Sequence, residues 1–449
     1  MGGDMLNAMK YISTVPFSGL FNWSVQYLND SKIAFSKEYP MMRIEEFLKR
    51  NKTVVTIQDG VKYKRVTIRV RNGGVVPRDE VMGENIGTKK QYMVSEGQFI
   101  LSKIDARNGA MGIIPAELDG AVVTQDFLPY DIDITKVNPQ YFVLVCTTKQ
   151  FVEFCQSCSS GTTNRQRVDE AQFLNIKVPV PSLVEQNKLV EAYNTYIIQS
   201  LYTEEQINRE ESKIRQYIAE CLYNNTSKAK RIGPGLSFAS FALIRKWGVE
   251  HINKHDNESY KHPVTTISTI CQISSGGTPS RSCKEYYSGT IPWIKTGELQ
   301  NNIIYDTEEH LTEVGLKYSS AKLYPKGSLV IAMYGATIGK TAMLGVSAAT
   351  NQACAVLTNI NQNVVLTEYL WEYLKYHSER LKSLAYGSAQ PNINAGIISD
   401  FILIVPPIAL QKQMVKQIKR MHTKISELYN QLKDYRQLAL TNFETKIFE

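Results

Sequence analysis

Few residues in this 449-residue chain stand at spacings that could do chemistry. Gly335-Ala336-Thr337-Ile338-Gly339-Lys340-Thr341 is similar to a loop that cradles phosphates with backbone amides. That loop needs four residues between its glycines before Gly-Lys-Thr. Here the position the first glycine would occupy holds Tyr334, and the matching place in the first half, Asp105 to Gly109, has no lysine-threonine pair. A tight turn at a strand end fits better, leaving a nucleotide-dependent enzyme as the alternative of a different class. Cys155-Gln156-Ser157-Cys158 is a lone CxxC. Zinc would need two further ligands, with only Cys146 near, and a redox pair would need a βαβ context. The histidines His251, His255, His262, His310, His377 and His422 form no ligand pattern. Glu308 and Glu309 are adjacent, so they point apart on a helix or a strand. No Gly-x-Ser-x-Gly elbow and no Asn/Asp-Pro-Pro-aromatic methyltransferase signature occurs. The expectation is a chain that does no catalysis and holds no metal or cofactor.

The basic residues offer binding instead. Arg43, Lys49, Arg50, Lys52, Lys62, Lys64, Arg65, Arg69, Arg71 and Arg78 face only Glu45, Glu46 and Asp59 in the same stretch, and Lys89, Lys90, Lys103 and Arg107 follow. Alternation through Lys62 and Lys64, then Arg69 and Arg71, would put several cations on one strand face. Such a face suits phosphates, and a guanidinium can also read a guanine edge. The second module, 241–406, is less basic. Its candidates are Arg281, Lys284, Lys295, Lys326 and Lys340, with Asn351, Gln352, Gln390 and Asn392 as polar readers and Tyr334 beside the turn.

The elements that position these residues come twice. Val178-Pro179-Val180-Pro181-Ser182-Leu183-Val184-Glu185-Gln186 parallels Leu403-Ile404-Val405-Pro406-Pro407-Ile408-Ala409-Leu410-Gln411. Gly97 to Ser102 parallels Gly327 to Ala332, Val123-Thr124-Gln125 parallels Thr350-Asn351-Gln352, and Ser160-Gly161-Thr162 parallels Tyr386-Gly387-Ser388. Trp23 and Trp247 stand before the two halves. The intervening stretches do not match, so one frame carries two different inserts. Strand-like alternation with Gly, Asn and Pro punctuation makes both halves β-rich with helical flanks.

A long helix follows each half. The first carries Leu183, Val190, Tyr193, Ile197, Leu201, Ile207, Ile214, Ile218 and Leu222, with Ser182 as its cap. The second carries Leu410, Met414, Ile418, Met421, Ile425, Leu428, Leu432, Tyr435, Leu438 and Ile447 at coiled-coil spacing. Each spans about 60 Å at 1.5 Å per residue and needs a partner for its apolar stripe. The expectation is an α+β chain of two pseudo-symmetric mixed α/β domains joined by two long antiparallel helices forming a coiled coil, with the domains at opposite ends. Its parts are 1–181 and 241–406 as domains, 182–224 and 407–449 as helices, and 225–240 as linker.

The net charge of +8 favours an anionic partner without demanding one. Seven irregularly spaced cysteines argue against a disulfide framework and for a reducing cytoplasm. No apolar run approaches the ~18 residues of a membrane span, and the start of the chain lacks the features of a signal peptide.

Ser274-Ser275-Gly276-Gly277-Thr278-Pro279-Ser280-Arg281, then Tyr286-Tyr287, then Gly289-Thr290-Ile291-Pro292-Trp293-Ile294-Lys295-Thr296-Gly297-Glu298-Leu299, resembles the start of a target-recognition domain in type I restriction–modification specificity subunits. Gly387-Ser388-Ala389-Gln390-Pro391-Asn392-Ile393-Asn394, then Val405-Pro406-Pro407 and a helix, resembles that domain's exit. The resemblance covers the second half closely. The first half shares the exit and helix but lacks Gly-Gly-Thr-Pro-Ser and Ile-Pro-Trp, so its start is a divergent recognition domain. The resemblance implies a DNA-reading subunit in the cytoplasm. Each domain would read one half of a bipartite, asymmetric double-stranded target. The helices would set the gap and dock two adenine methyltransferase subunits, and ATP-dependent restriction subunits would join for cleavage. AdoMet, ATP and magnesium would belong to those partners, which in a related system are fused into one polypeptide. It adds Gly276, Gly277, Thr278, Pro279, Ser280 and Trp293 to the DNA-binding candidates.

Overall fold

The computed structural model describes residues 38–71, 73–157, 159–160, 167–224, 259–386 and 391–448. Trp23, Trp247, Cys158, the 225–240 linker, Gly387 to Ala389 and the candidate reader Gln390 lie outside the described residues. The chain forms two compact units, Met1–Glu204 with Asn430–Glu449, and Glu205–Tyr429. The helix Leu183–Leu222 begins in the first unit and ends in the second, and the helix Ile408–Phe448 does the reverse.

In the first unit, one sheet orders strands Leu48–Arg50, Phe127–Ile132, Phe99–Ser102 and Met111–Ile113. A second sheet orders Val54–Thr56, Lys90–Met93, Val122–Val123, Lys62–Ile68 and Val75–Met82. Phe47, Phe99, Tyr130, Tyr141, Phe142 and Phe173 fill the core, where Phe443 and Ile447 of the second long helix join Leu189 and Val190 of the first. The second unit repeats the plan. Gln272–Ser275, Cys354–Thr358, Leu329–Ala332, Thr341–Leu344 and Asn302–Ile304 form one sheet. His310–Leu311, Tyr287–Ile294, Ala348–Thr350 and Leu323–Tyr324 form the other.

The repeat holds at single hydrogen bonds. Gly97 and Gly327 both take a left-handed φ, +79° and +87°, and their amides donate to Ile114 O and Leu344 O. In each unit a short strand entering the domain pairs antiparallel with the strand leaving it, Met41–Arg43 with Lys177–Pro179 and Val264–Thr266 with Ile402–Ile404. The inserts share topology without sequence. Arg65 pairs in parallel register with Val122, and Trp293 pairs in parallel register with Ala349. Val122 and Ala349 each precede one of the duplicated tripeptides, so Arg65 and Trp293 occupy equivalent positions.

The junction between domain and helix is a buried glutamine, used twice. Gln186 Nε2 donates to Lys136 O (3.0 Å) and Pro181 O (2.8 Å), and Gln186 Oε1 accepts from Asn138 N (2.7 Å). Gln411 Nε2 donates to Val364 O (2.9 Å) and Pro406 O (2.8 Å), and its Oε1 accepts from Leu366 N (2.9 Å). Both side chains are fully buried. Beside them, Tyr141 and Tyr369 donate to Pro179 O and Ile404 O at 2.9 and 2.7 Å. Ser182 caps the first helix as expected, accepting from Glu185 N at 3.3 Å.

Within each unit the two helices run antiparallel. In the first, Asn442 Nδ2 donates to Tyr196 OH at 2.9 Å, and Glu204 pairs with Arg436. In the second, Glu210 pairs with Lys424, and Ile218 and Leu222 meet Met414 and Ile418. The buried stripe departs from the expected heptads. Leu201 is 57% and Leu438 43% exposed, while Ser200, Thr203, Ala439 and Phe443 are buried. An α-helix drifts against a 3.5-residue repeat, so over forty residues the seam passes to neighbouring positions. Among the described residues no helix is long and apolar enough to cross a membrane.

Replacing Gln411 by Ala leaves one donor and two acceptors of the main chain without their partner, at about 1–3 kcal/mol for each that water does not reach. We expect faster native-state hydrogen exchange at Leu366 and a lower melting temperature. Unchanged exchange at that amide contradicts the role given to the glutamine.

Candidate nucleic-acid interface

In the second unit the segment 276–281 leaves strand Gln272–Ser275 and folds over the second sheet. Gly277 N donates to Thr350 O at 2.9 Å, and the indole Nε1 of Trp293 donates to Gly277 O at 3.1 Å. A Cβ on Gly276 would lie 2.0 Å from Thr350 O, and one on Gly277 would lie 2.3 Å from the Ser320 backbone. Both positions need glycine because main chains approach that closely. Gly276, Gly277, Pro279 and Trp293 are buried. They support the segment rather than face a ligand, which corrects the expectation that all four are contact residues. Thr278, Ser280 and Arg281 are exposed. Thr278 donates its hydroxyl hydrogen to Gln352 Oε1, and the Ser280 hydroxyl lies 2.7 Å from that of Ser282.

Arg281 and Lys295 converge on one carboxylate. Arg281 Nη1 and Nη2 donate to Glu309 Oε2 (2.6 Å) and Oε1 (3.2 Å), and Lys295 Nζ lies 2.9 Å from both Glu309 Oε1 and Glu308 Oε2. The guanidinium stands over the rings of Tyr287 (4.6 Å to the centroid) and Trp293 (5.2 Å). Hydrogen bonds from Arg281, then from Lys295, pull the Glu309 carboxyl from its ordinary 4.5 down to about 2. Neither the partnership nor the adjacency of Glu309 to Arg281 shows in the sequence, since 28 positions separate them.

The Gly335–Thr341 segment connects two antiparallel strands, Leu329–Ala332 and Thr341–Leu344, and no helix follows. Thr341 is buried, and its hydroxyl accepts from Trp371 Nε1 at 2.9 Å and lies 3.1 Å from Asn301 Oδ1. Lys340 Nζ donates to Gln300 Oε1 at 2.6 Å. The segment is a strand turn, as its duplicated position suggests, and its lysine and threonine are engaged elsewhere. The turn presents Tyr334, 45% exposed, whose main chain bridges Asn392. Met333 N donates to Ala353 O and Ile393 N to Met333 O, both at 2.9 Å. Gln352, Tyr334 and Asn392 therefore stand side by side, with Thr278 on Gln352 and exposed Tyr386 on Asn392. Asn351 is tied inward by its bond from Ala353 N. Sequence reasoning missed Tyr386.

In the first unit the basic strand is opposed. Strand Val75–Met82 places Glu80 across from Lys64 and Asp79 across from Arg65. Lys62 pairs with Glu80 (2.6 Å), Arg65 grips Asp79 through two bonds (2.7 and 2.6 Å), and Lys89 pairs with Asp59 (2.7 Å). Lys64 donates to Glu117 O (3.0 Å), and Arg78 lies 3.9 Å from Asp79. The register with the partner strand shifts between Arg65 and Val66, where Arg78 is the extra residue, and the strand ends at Ile68, before Arg69. The expected single face running from Lys62 to Arg71 does not form. Arg71 instead sits at a left-handed φ of +56°, its amide 2.6 Å from Asn108 O, beside the turn that carries Arg107. That turn, Ala106–Asn108 closed by left-handed Gly109, is the counterpart of the one that presents Tyr334. Arg69, Arg71 and Lys90 are exposed and form no ion pair with a described residue. Lys103 is half-buried; its carbonyl accepts from Val168 N as Met333 O accepts from Ile393 N. Arg167, a residue that sequence reasoning passed over, pairs with Asp126 at 3.0 Å and thus matches Asn392.

Residues 26–210 and 261–434 match the family model for the type I restriction modification DNA specificity domain. The chain belongs to this family. Its role is DNA sequence specificity in a type I restriction–modification system. It is similar to the HindI type I restriction enzyme specificity subunit of Haemophilus influenzae, 23% identical over 366 residues, 70% of this chain and 77% of that protein. The MjaIX specificity subunit of Methanocaldococcus jannaschii is 29% identical over 186 residues, 40% of this chain and 42% of its own length. A solved chain from work on complex assembly and conformational transition of the type I R-M system shares the fold, with a TM-score of 0.59, 14% identity, and coverage of 92% of this chain and 99% of that one.

In this specificity-domain chain, the low carboxyl of Glu309 makes a pH prediction. Its depressed folded value means that the stabilisation is complete above its unfolded value near 4.5 and is lost as pH falls through about 2. The stability difference between wild type and Glu309→Gln should be constant from neutral pH to about 5 and shrink below 4.5. A difference already gone at pH 5 contradicts the ion-pair geometry.

Proposed function

We propose that each unit reads one half of a bipartite, asymmetric DNA target, and that the chain itself performs no chemistry. The supporting observation is the shared frame with unlike inserts, in which Arg65 and Trp293 hold equivalent places. Two readers of one target half would be free to stay alike; two readers of different halves are not. The contact residues proposed in the first unit are Arg69, Arg71, Lys90, Lys103 and Arg107 around its turn. Lys62, Lys64, Arg65, Arg78 and Lys89 are held in ion pairs or carbonyl contacts. In the second unit they are Thr278, Ser280, Arg281, Lys295, Tyr334, Gln352 and Asn392. Phosphate contacts give position and base-edge contacts give sequence.

The two helices are proposed to fix the gap between the halves and to dock two methyltransferase subunits, which ATP-dependent restriction subunits join. AdoMet, ATP and magnesium belong to those partners, and the complex acts on DNA in the cytoplasm.

Sequencing the host methylome with the gene present and deleted tests the assignment. A bipartite adenine motif should vanish with the gene; an unchanged methylome overturns it. Two narrower outcomes follow. Arg69→Ala or Arg71→Ala should weaken binding and lower the slope of log affinity against log salt by about 0.9 for each phosphate the variant leaves unneutralised. Adding a heptad to both helices at paired positions lengthens them by about 10 Å and should lengthen the recognised gap by about 3 bp. A footprint with an unchanged gap removes the spacing role.

A further inference from the structure

A surface that meets a polyanion gains nothing obvious from a carboxylate, yet Glu309 is held firmly beside Arg281 and Lys295. Its carbonyl accepts from Trp293 N (3.0 Å) and from the Thr307 hydroxyl (2.7 Å), fixing its main chain beside strand Tyr287–Ile294. Glu298 braces both neighbours of the site, accepting from Lys295 N (2.7 Å) and Glu308 N (2.9 Å). Arg281 and Lys295 are thus paired with Glu308 and Glu309, and Glu298 adds a third carboxylate bonded to the main chain beside them. The Glu309 side chain is 27% exposed against 58% for Arg281, so the acid lies behind and the guanidinium in front. Two rings and a two-point fork leave Arg281 one orientation, with donors still unused beyond those on Nη1 and Nη2 that reach Glu309.

Unpaired cations bind phosphate wherever it occurs, and each contact steepens the salt dependence by about 0.9. A guanidinium with fixed orientation is suited instead to a guanine edge, where planar geometry discriminates. We propose that Glu309 is a positioning residue for specificity: it withholds Arg281 and Lys295 from phosphates and presents the Arg281 guanidinium in a single orientation to a base edge. This rests on the DNA-reading assignment above.

The test uses the full-length chain with duplexes carrying the methylome-defined motif or a scrambled sequence, over a salt series. Glu309→Gln should raise affinity for scrambled duplex about tenfold at low salt, steepen its salt slope by about 1–2, and cut the target preference about tenfold. Glu309→Asp keeps the charge and should keep the wild-type slope. Glu308→Gln leaves Lys295 on Glu309 and should do the same. A Glu309→Gln chain with wild-type slope and preference overturns the proposal. If that variant does not fold, Arg281→Gln decides: the proposal requires weaker target binding with an unchanged slope on scrambled duplex, and a slope lowered by about 0.9 overturns it. A wild-type chain with no preference for the motif counts against the DNA-reading assignment itself, a result distinct from any difference among variants.

Discussion

A buried side chain that satisfies three main-chain groups at once sets where each long helix begins. Gln186 and Gln411 each join a loop of the domain body, the proline two residues past the exit strand and the first turn of the helix. An amide inside a protein must find partners, since each unmade bond costs about 1–3 kcal/mol. A rotation or slip of the helix start would break all three bonds together. The tyrosine bonds to Pro179 O and Ile404 O fasten the strand next to it. Helix and body are therefore one piece within each unit, and whatever the inserts contact is set in a fixed frame relative to the first helical turn.

On that frame the inserts diverge in charge as well as sequence. The first unit answers its strand cations with Asp79 and Glu80 from the neighbouring strand and leaves Arg69, Arg71 and Lys90 outside the pairing. The second unit gathers two cations on Glu309, and shows neutral donors, acceptors and aromatic rings along the Tyr334 turn. Surface ion pairs contribute little stability, typically about 0–1 kcal/mol. In the reading proposed here, their effect is on which cations remain available to a phosphate backbone, and so on how binding divides between charge and base contacts.

Much of this was legible in the sequence because it depends on local signals. The exit prolines, the Ser182 cap, the strand-end glycines at 97 and 327 and the paired tripeptides at 123–125 and 350–352 each mark a hydrogen bond that the structure makes. The strand pairing was not legible. Asp79 and Glu80 lie just past the basic run, and only the hairpin register turns them back onto Lys62 and Arg65. Glu309 is likewise separated by a strand and a loop from Arg281. Trp293 and the two glycines looked like surface readers because they carry the family motif; burial shows that they shape the loop. The helix seam shifted to Ser200 and Thr203 because helical drift accumulates over a length that a heptad count ignores.

The central claim is that the two units read independently on a common frame. Exchanging residues 263–405 for the corresponding segment of a relative with a different target, while keeping both long helices, tests it most directly. Methylome sequencing of the chimaera should show one half of the motif replaced, with the other half and the gap unchanged. A motif altered in both halves, or absent while the chain remains folded, would contradict the account.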